Sequence, residues 1–300
     1  DQETPQSSVI SFDGGRLYSV DIGQTRLNFV GRQRDLRLTG DAQIPVFDGL
    51  LKVTDFDLRN IGNEDQSLVL NAEIEPVSLE AMTQAFGWPQ MTGQLEGVIP
   101  NARYENKLLS LGGALEIKVF DGSVTVRNLR SQTPLDLVPE LSADIEIENL
   151  DLQSLTRAFS FGKIAGRLSG FIRKLELLNW QPVYFEAKLA TPDGDRSKHR
   201  ISQRAVDNLT RLGNGVSGAL SSTFLSVFED FSYERIGISC RLENNVCRMD
   251  GIEPAESGYY IVKGSGIPRI DVKGFNREVA WPVLVDRLKN IDLESGPVIQ

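Results

Sequence analysis

The chain of 300 residues contains two cysteines, one histidine, three methionines and three tryptophans, and each scarcity excludes something. With one histidine and two cysteines, the usual sulfur and nitrogen ligands of a zinc site cannot be completed. No run of about 18 apolar residues occurs, so no segment reads as a membrane-spanning helix. Basic residues are in deficit, 32 Lys and Arg against 41 Asp and Glu, for a net charge of −9. A surface of that sign is unsuited to nucleic acid, whose binding needs cationic groups that release counterions. It is equally unsuited to electrostatic adhesion on anionic headgroups, so any contact with lipid has to be mainly apolar. The chemical signatures of catalysis are missing too: there is no Gly-x-Ser-x-Gly elbow, no phosphate loop ending in Gly-Lys-Ser or Gly-Lys-Thr, and no His-Glu-x-x-His. The chain begins at Asp1 without an initiator methionine or a signal peptide, and is expected to be a piece of a longer protein.

What is present is an ordinary core-forming composition, 40% hydrophobic and 24% charged, arranged with an internal repeat. The stretch from Leu36 to Ile99 aligns without a gap on Leu109 to Ile172. Phe47-Asp48-Gly49 falls on Phe120-Asp121-Gly122, and Gly93, Leu95, Gly97 and Ile99 fall on Gly166, Leu168, Gly170 and Ile172, at a constant offset of 73 residues. A duplicated supersecondary unit of this kind leaves an apolar face uncovered until a neighbour stacks on it. The expected architecture is mainly β with short helices (α+β): an elongated, curled antiparallel β-sheet groove built from tandem repeats, followed by a helix-containing C-terminal cap. Residues 1–190 form the groove region, with copies at about 36–99 and 109–172, and residues 191–300 form the cap.

Each copy carries the same order of signals: strand, Phe-Asp-Gly turn, strand, a variable stretch, a long alternating strand, a short helix, a further strand. In Leu141 to Glu148 apolar and polar residues alternate with period two, and Leu68, Leu70, Ala72 and Ile74 do the same in the first copy, which predicts sheets with one dry and one wet face. Helices are predicted over Ser78 to Phe86 and Asp151 to Phe159, with Ser78 and Asp151 as N-caps. Their apolar sides are Leu79, Met82 and Phe86, and Leu152, Leu155 and Phe159. In the following strand Gly93, Leu95 and Gly97, or Gly166, Leu168 and Gly170, share a face. The glycines either leave room for a ligand chain or admit a bulge, a bend or the neighbouring helix.

The repeat fades after about Arg173, where Trp180 to Leu189 offers another strand. The segment from Thr191 to Arg200 reads as a charged, exposed loop in which His199 is an ordinary solvated residue. Beyond it, helices are expected over Ser202 to Leu212 and Val216 to Phe231, the second packing Leu220, Phe224, Val227, Phe228 and Phe231 over the end of the groove. Strands are expected at Tyr259 to Lys263 and Arg269 to Lys273, and a last helix from about Val279 to Leu288 with Pro282 in its first turn. Between Cys240 and Cys247 the Asn244-Asn245 pair signals a turn, so the two thiols can meet across a hairpin. Such a disulfide adds about 2 to 3 kcal/mol when unstrained and implies an oxidising compartment, a bacterial periplasm. Two free buried thiols or half a zinc site are the competing readings.

Glu73 and Glu75, and Glu146 and Glu148, have a spacing compatible with glycosidase carboxylates. They lie on the wet face of alternating strands, where acidic residues keep a sheet soluble, and the chain is not expected to be an enzyme. Asn208-Leu209-Thr210 matches a glycosylation sequon but falls inside a predicted helix. No cofactor and no metal are expected.

The alternating strand, short capped helix and Gly-x-Leu-x-Gly strand, best seen in Leu150-Asp151-Leu152-Gln153-Ser154-Leu155 and Ile164-Ala165-Gly166-Arg167-Leu168-Ser169-Gly170, resemble the AsmA-like and TamB-like proteins of Gram-negative envelopes. The run from Ile201 to Ile291, with Ile201-Ser202-Gln203-Arg204-Ala205-Val206, the cysteine hairpin and Trp281-Pro282-Val283-Leu284, resembles the C-terminal end of the YdbH-like branch. The resemblance implies long sheets curled into a taco-shaped groove with an apolar interior. It implies an anchor in the inner membrane supplied by an N-terminal segment absent from this chain, and a role in moving phospholipid toward the outer membrane. No catalytic residues carry over. On this reading Leu68, Leu70, Ile74, Leu95, Ile145, Ile147 and Leu168 line the groove, and the ligand is phospholipid or another acyl lipid. An alternative is an envelope module that binds an outer-membrane or periplasmic protein by strand addition at an open sheet edge.

Overall fold

The computed structural model describes residues 6–17, 19–87, 93–132, 140–212 and 228–293. The chain opens with β1 (Gln6–Phe12), β2 (Gly15–Leu17), β3 (Val20–Ile22), β4 (Thr25–Arg32), β5 (Asp35–Leu38), β6 (Ala42–Val46), β7 (Gly49–Arg59) and β8 (Ser67–Ser78), which runs into α1 (Leu79–Phe86). Next come β9 (Gln94–Glu105), β10 (Leu108–Leu111), β11 (Ala114–Val119), β12 (Gly122–Gln132) and β13 (Glu140–Asp151), which runs into α2 (Leu152–Ala158). Then follow β14 (Ile164–Ala165), β15 (Arg167–Leu178), β16 (Gln181–Ala190), β17 (Arg200–Ser202) and α3 (Gln203–Leu212). The last elements are β18 (Asp230–Glu243), β19 (Val246–Gly251), β20 (Glu253–Pro254), β21 (Tyr259–Ser265), β22 (Val272–Gly274), β23 (Glu278–Ala280) and α4 (Trp281–Leu293). The protein is thus mainly β, 62% strand, with a large antiparallel sheet and four short helices among the described residues. Two compact units are distinguishable: Asp1–Val119, Ser123–Ile145 and Glu176–Pro182 form the first, and Phe120–Gly122, Glu146–Leu175 and Val183–Gln300 the second.

In the first unit, antiparallel pairing runs from β1 through β4 and β5 to β7, with β6 also on β7, and on through β8, β9 and β10. The register sets which side chains share a face, because directly opposed residues project to the same side. Leu58, Phe56, Val53 and Leu51 of β7 oppose Leu68, Leu70, Ala72 and Ile74 of β8, which in turn oppose Tyr104, Ala102, Ile99 and Gly97 of β9. The other face carries Lys52, Asp57, Glu73 and Arg103. Bulges between Val53 and Asp55 in β7, and between Leu70 and Ala72 and between Ile74 and Val77 in the β8–β9 ladder, re-phase the strands. They keep the apolar set on one side and increase the local twist.

The ends of the long strands turn into helices as the capping signals predict. Ser78 accepts a hydrogen bond from the Ala81 amide at 3.2 Å and Asp151 one from the Ser154 amide at 2.7 Å. The buried side of each helix includes the expected Leu79 and Leu152 but departs from expectation elsewhere. Leu79 and Thr83, and Leu152 and Thr156, face inward, while Phe86 and Phe159 are 40% and 42% exposed. Thr83 and Thr156 can be buried because their hydroxyls donate to the Leu79 and Leu152 carbonyls, both at 2.7 Å; a threonine that is hydrogen-bonded to its own helix presents mainly its methyl group to the core.

The second unit has a dense interior. Tyr259, Phe231, Ile201, Leu242, Ile261, Val262 and Cys247 are each at most 2% exposed. The predicted first helix of this region is α3, begun by Ser202 accepting from the Ala205 amide at 3.4 Å, with Ala205, Val206, Leu209 and Leu212 inward. Asn208 of the sequon is buried, its amide donating to the Phe161 carbonyl at 2.8 Å. The helix expected over Val216 to Phe231 falls, through residue 227, outside the described residues. Its final positions are not helical: Asp230 begins β18, and Phe231 is a buried strand residue opposite Ile201. The strand expected at Arg269 to Lys273 shrinks to β22, and the last helix is α4, with Pro282 as its second residue.

Candidate functional site

The candidate surface is the apolar face of the first unit. Its innermost residues are small, Ala42, Val53 and Ala72, at 3%, 7% and 4% exposure, and the large side chains around them, Leu27, Leu38, Ile44, Leu51, Phe56, Leu70 and Ile99, are only partly buried. The single helix described within this unit, α1, lies at the ends of the strands and buries Leu79 and Thr83 rather than roofing the sheet. A sheet normally covers its apolar face with a second layer. Here Ala42, Val53 and Ala72 are closed over by the larger side chains packed against them, and those larger side chains stay partly open.

Of the groove residues proposed from sequence, Leu68, Leu70 and Ile74 share this face, and Leu95, opposite Val77, continues it along β9. All four are half-buried. Ile145, also half-buried, lies on β13 at the end of the first unit. In the second unit Ile147 is half-buried, whereas Leu168 is 8% exposed and part of the interior. Sequence reasoning missed Leu51, Val53, Phe56 and Leu58. Their alternation breaks at Thr54-Asp55, and only the bulge there restores them to one face. The polar groups at the bulges are satisfied through Asn71, whose amide donates to Asp55 at 3.4 Å and whose Oδ1 accepts from the Asn101 amide at 2.5 Å.

The glycines do not make room for a ligand. A Cβ on Gly97 would stand 2.6 Å from the Glu116 carbonyl oxygen, and one on Gly170 would stand 1.9 Å from that of Lys188. Gly93 and Gly166 lie outside the strands at φ 132° and 146°, a region nearly closed to other residues. Gly93 and Gly166 serve the turning of the chain, and the space that Gly97, Gly166 and Gly170 open is already filled by protein.

His199 is a second correction. Rather than projecting into solvent, its side chain is 14% exposed, with Nε2 2.9 Å from Asp195 Oδ2 and Nδ1 3.1 Å from the Glu234 carbonyl. The ring stacks on Tyr233 at 4.8 Å, 9° from parallel. The Tyr233 hydroxyl donates to the Ala165 carbonyl at 2.8 Å, in the space left by Gly166. Burial pushes the Asp195 carboxyl upward, but hydrogen bonds from the Ser197 amide, His199, the Ser197 hydroxyl and the Arg167 amide outweigh it and hold the group at about 2. Burial raises the Tyr233 phenol, aided by the charge of Asp195. The arrangement pins the segment between β16 and β17 onto β18.

Glu73, Glu75, Glu146 and Glu148 are all exposed. No cluster of three or more metal-ligating side chains occurs among the described residues, and none of their helices is long and apolar enough to cross a membrane. Cys240 and Cys247 form a disulfide with Cα atoms 5.6 Å apart. The partners are diagonal rather than directly opposed: Cys240 faces Met249 and Cys247 faces Leu242, with Asn244 and Asn245 in the turn at φ 52° and 61°. Comparison of the chain with family models, with curated proteins and with solved structures finds no match.

Proposed function

We propose that this protein is the periplasmic part of a bridge-like lipid-transfer protein that holds phospholipid acyl chains against the apolar sheet face on their way between inner and outer membranes. The observation that carries the reading is the partly covered face of the first unit, where large aliphatic and aromatic side chains surround a floor of alanine and valine. An acyl chain leaving a bilayer for water exposes apolar surface at a cost of about 0.8 kcal/mol per methylene. A continuous dry face removes most of that cost while the headgroup stays solvated. The polar opposite face and the net charge of −9 keep such a sheet soluble.

Tandem construction supports an extended face. The helices α1 and α2 begin 73 residues apart, at Leu79 and Leu152, and left-handed residues recur at the same offset: Phe47 and Phe120, Gly93 and Gly166, Asn101 and Lys174. These features agree with the AsmA-like resemblance drawn from the sequence, and the disulfide agrees with an oxidising compartment. In this proposal an N-terminal segment outside the chain tethers it to the inner membrane.

Mass spectrometry of organic extracts from the protein purified after periplasmic expression tests the reading. Stoichiometric phospholipid, lost in an Ile145→Asp variant with an unchanged circular dichroism spectrum, is the expected result. A folded, unsubstituted protein that is repeatedly free of lipid overturns it.

One observation favours a second reading, an interaction module that accepts a partner strand. β1 pairs with β4 alone among the described pairings, all seven of its residues are exposed, and Val9, Ile10 and Phe12 are 51%, 52% and 44% open to solvent. An edge of this kind is a template for strand addition. Lipid-free protein that captures an envelope partner only when β1 is intact would favour it.

A further inference from the structure

The tip of the β15–β16 hairpin is not explained by a lipid-holding face. Leu178 and Trp180 are 43% and 67% exposed, and Asn179 and Trp180 make the turn with φ 49° and 62°. A bulky residue is rarely placed in left-handed backbone, so the tryptophan sits there against its own conformational preference.

The chain supplies its own controls. At the matching places 73 residues earlier, in the β9–β10 turn, stand Glu105 and Lys107, with Asn106 and Lys107 at φ 52° and 64°. At the same offset again, in the β4–β5 turn, stand Arg32 and Arg34 around Gln33 at φ 54°. The β9–β10 hairpin therefore makes the same turn, with two left-handed residues, while carrying charged residues at both positions, and neither the leucine nor the tryptophan is required by the turn. Their apolar character is left for something outside the unit.

We propose that Leu178 and Trp180 form a bilayer-contacting tip that seats in the headgroup region of a phospholipid membrane. The inference rests on the lipid-transfer reading, which requires the protein to meet a membrane. A two-residue turn is convex and narrow, a shape that enters a yielding lipid surface more readily than it matches a flat protein one. An indole, apolar in body with one N–H donor, is the side chain best suited to the water–lipid boundary. With a net charge of −9, attraction to anionic headgroups contributes nothing favourable, so binding comes from apolar insertion, is retained on phosphatidylcholine and changes little with salt.

The test replaces the tip by that of its sister hairpin, Leu178→Glu with Trp180→Lys, which preserves a turn the chain already folds. The unsubstituted protein is expected to co-sediment with phosphatidylcholine vesicles and to shift its tryptophan emission to shorter wavelength. The variant is expected to lose roughly tenfold in vesicle binding while keeping the lipid content measured in extracts. Unsubstituted protein that carries lipid but ignores vesicles, or a variant that binds as well as the parent, overturns the tip and leaves the lipid reading standing. Vesicle binding through the tip by a protein that carries no lipid upholds the tip and overturns the lipid reading.

Discussion

Replacing Asp195 by asparagine removes the charge on which the buried histidine cluster depends, and its cost can be worked from the structure. The carboxyl side chain is 7% exposed, so solvent screens little of its interactions. Its ionisation is displaced from 3.8 to about 2 by hydrogen bonds that outweigh burial. At about 1.4 kcal/mol for each pH unit of displacement, the native state gains about 2 kcal/mol at neutral pH. The sign follows from a depressed acid: the stabilisation is complete above the ordinary carboxyl value and is lost as pH falls through about 2. Urea unfolding followed by tryptophan fluorescence should therefore show Asp195→Asn less stable by about 2 kcal/mol at pH 7, the gap holding from pH 7 to 5 and narrowing below pH 4. Trp281, edge-on to Phe185 at 5.5 Å, reports from the same unit. A variant within about 0.5 kcal/mol of the parent at pH 7, or a gap that does not narrow in acid, would refute the reasoning.

Three further outcomes follow from named contacts. Gly166→Ala places a Cβ 2.2 Å from the Tyr233 hydroxyl at φ 146° and should cost at least about 3 kcal/mol in chemical unfolding, against about 1 kcal/mol for Gly40→Ala, where the space is open. Tyr233→Phe should cost about 1 to 2 kcal/mol by removing the hydroxyl's buried hydrogen bond to the Ala165 carbonyl. Because it also removes the clashing oxygen, Gly166→Ala should cost less in that background, and additivity in a double-mutant cycle would contradict the close-approach account. Removing the caps, Ser78→Ala or Asp151→Ala, should each lower stability by about 1 kcal/mol, with faster amide exchange confined to the first turn of α1 or α2. Exchange that rises across the whole unit would mean the caps hold more than the helix ends.

Local signals were legible in the sequence and non-local ones were not. Ser78 and Asp151 announced both helices because an N-cap acts within three residues. The Asn244-Asn245 turn announced the hairpin that brings Cys240 to Cys247, although their diagonal register could not be read from spacing. The apolar face was visible where alternation is unbroken, as at Leu68, Leu70 and Ile74, and hidden at Phe56 and Leu58, where a bulge restores a face that the sequence pattern breaks. His199 misled because its surroundings in the chain are charged. Its burial comes from Tyr233, more than thirty residues away in sequence, and from a glycine small enough to admit that ring's hydroxyl. Thr83 and Thr156 carried no apolar signal, and they are buried because each hydroxyl donates to a carbonyl of its own helix.

The most direct test of lipid on the sheet face uses the alternation itself. A photo-crosslinking phenylalanine derivative is placed in turn at Leu68, Val69, Leu70 and Asn71 of β8, in protein expressed in the periplasm and irradiated before purification. Lipid adducts at positions 68 and 70, and none at 69 and 71, are the predicted result, because only the first two project to the apolar face. Adducts at all four positions, or at none in folded protein, would contradict the claim that acyl chains lie on that face.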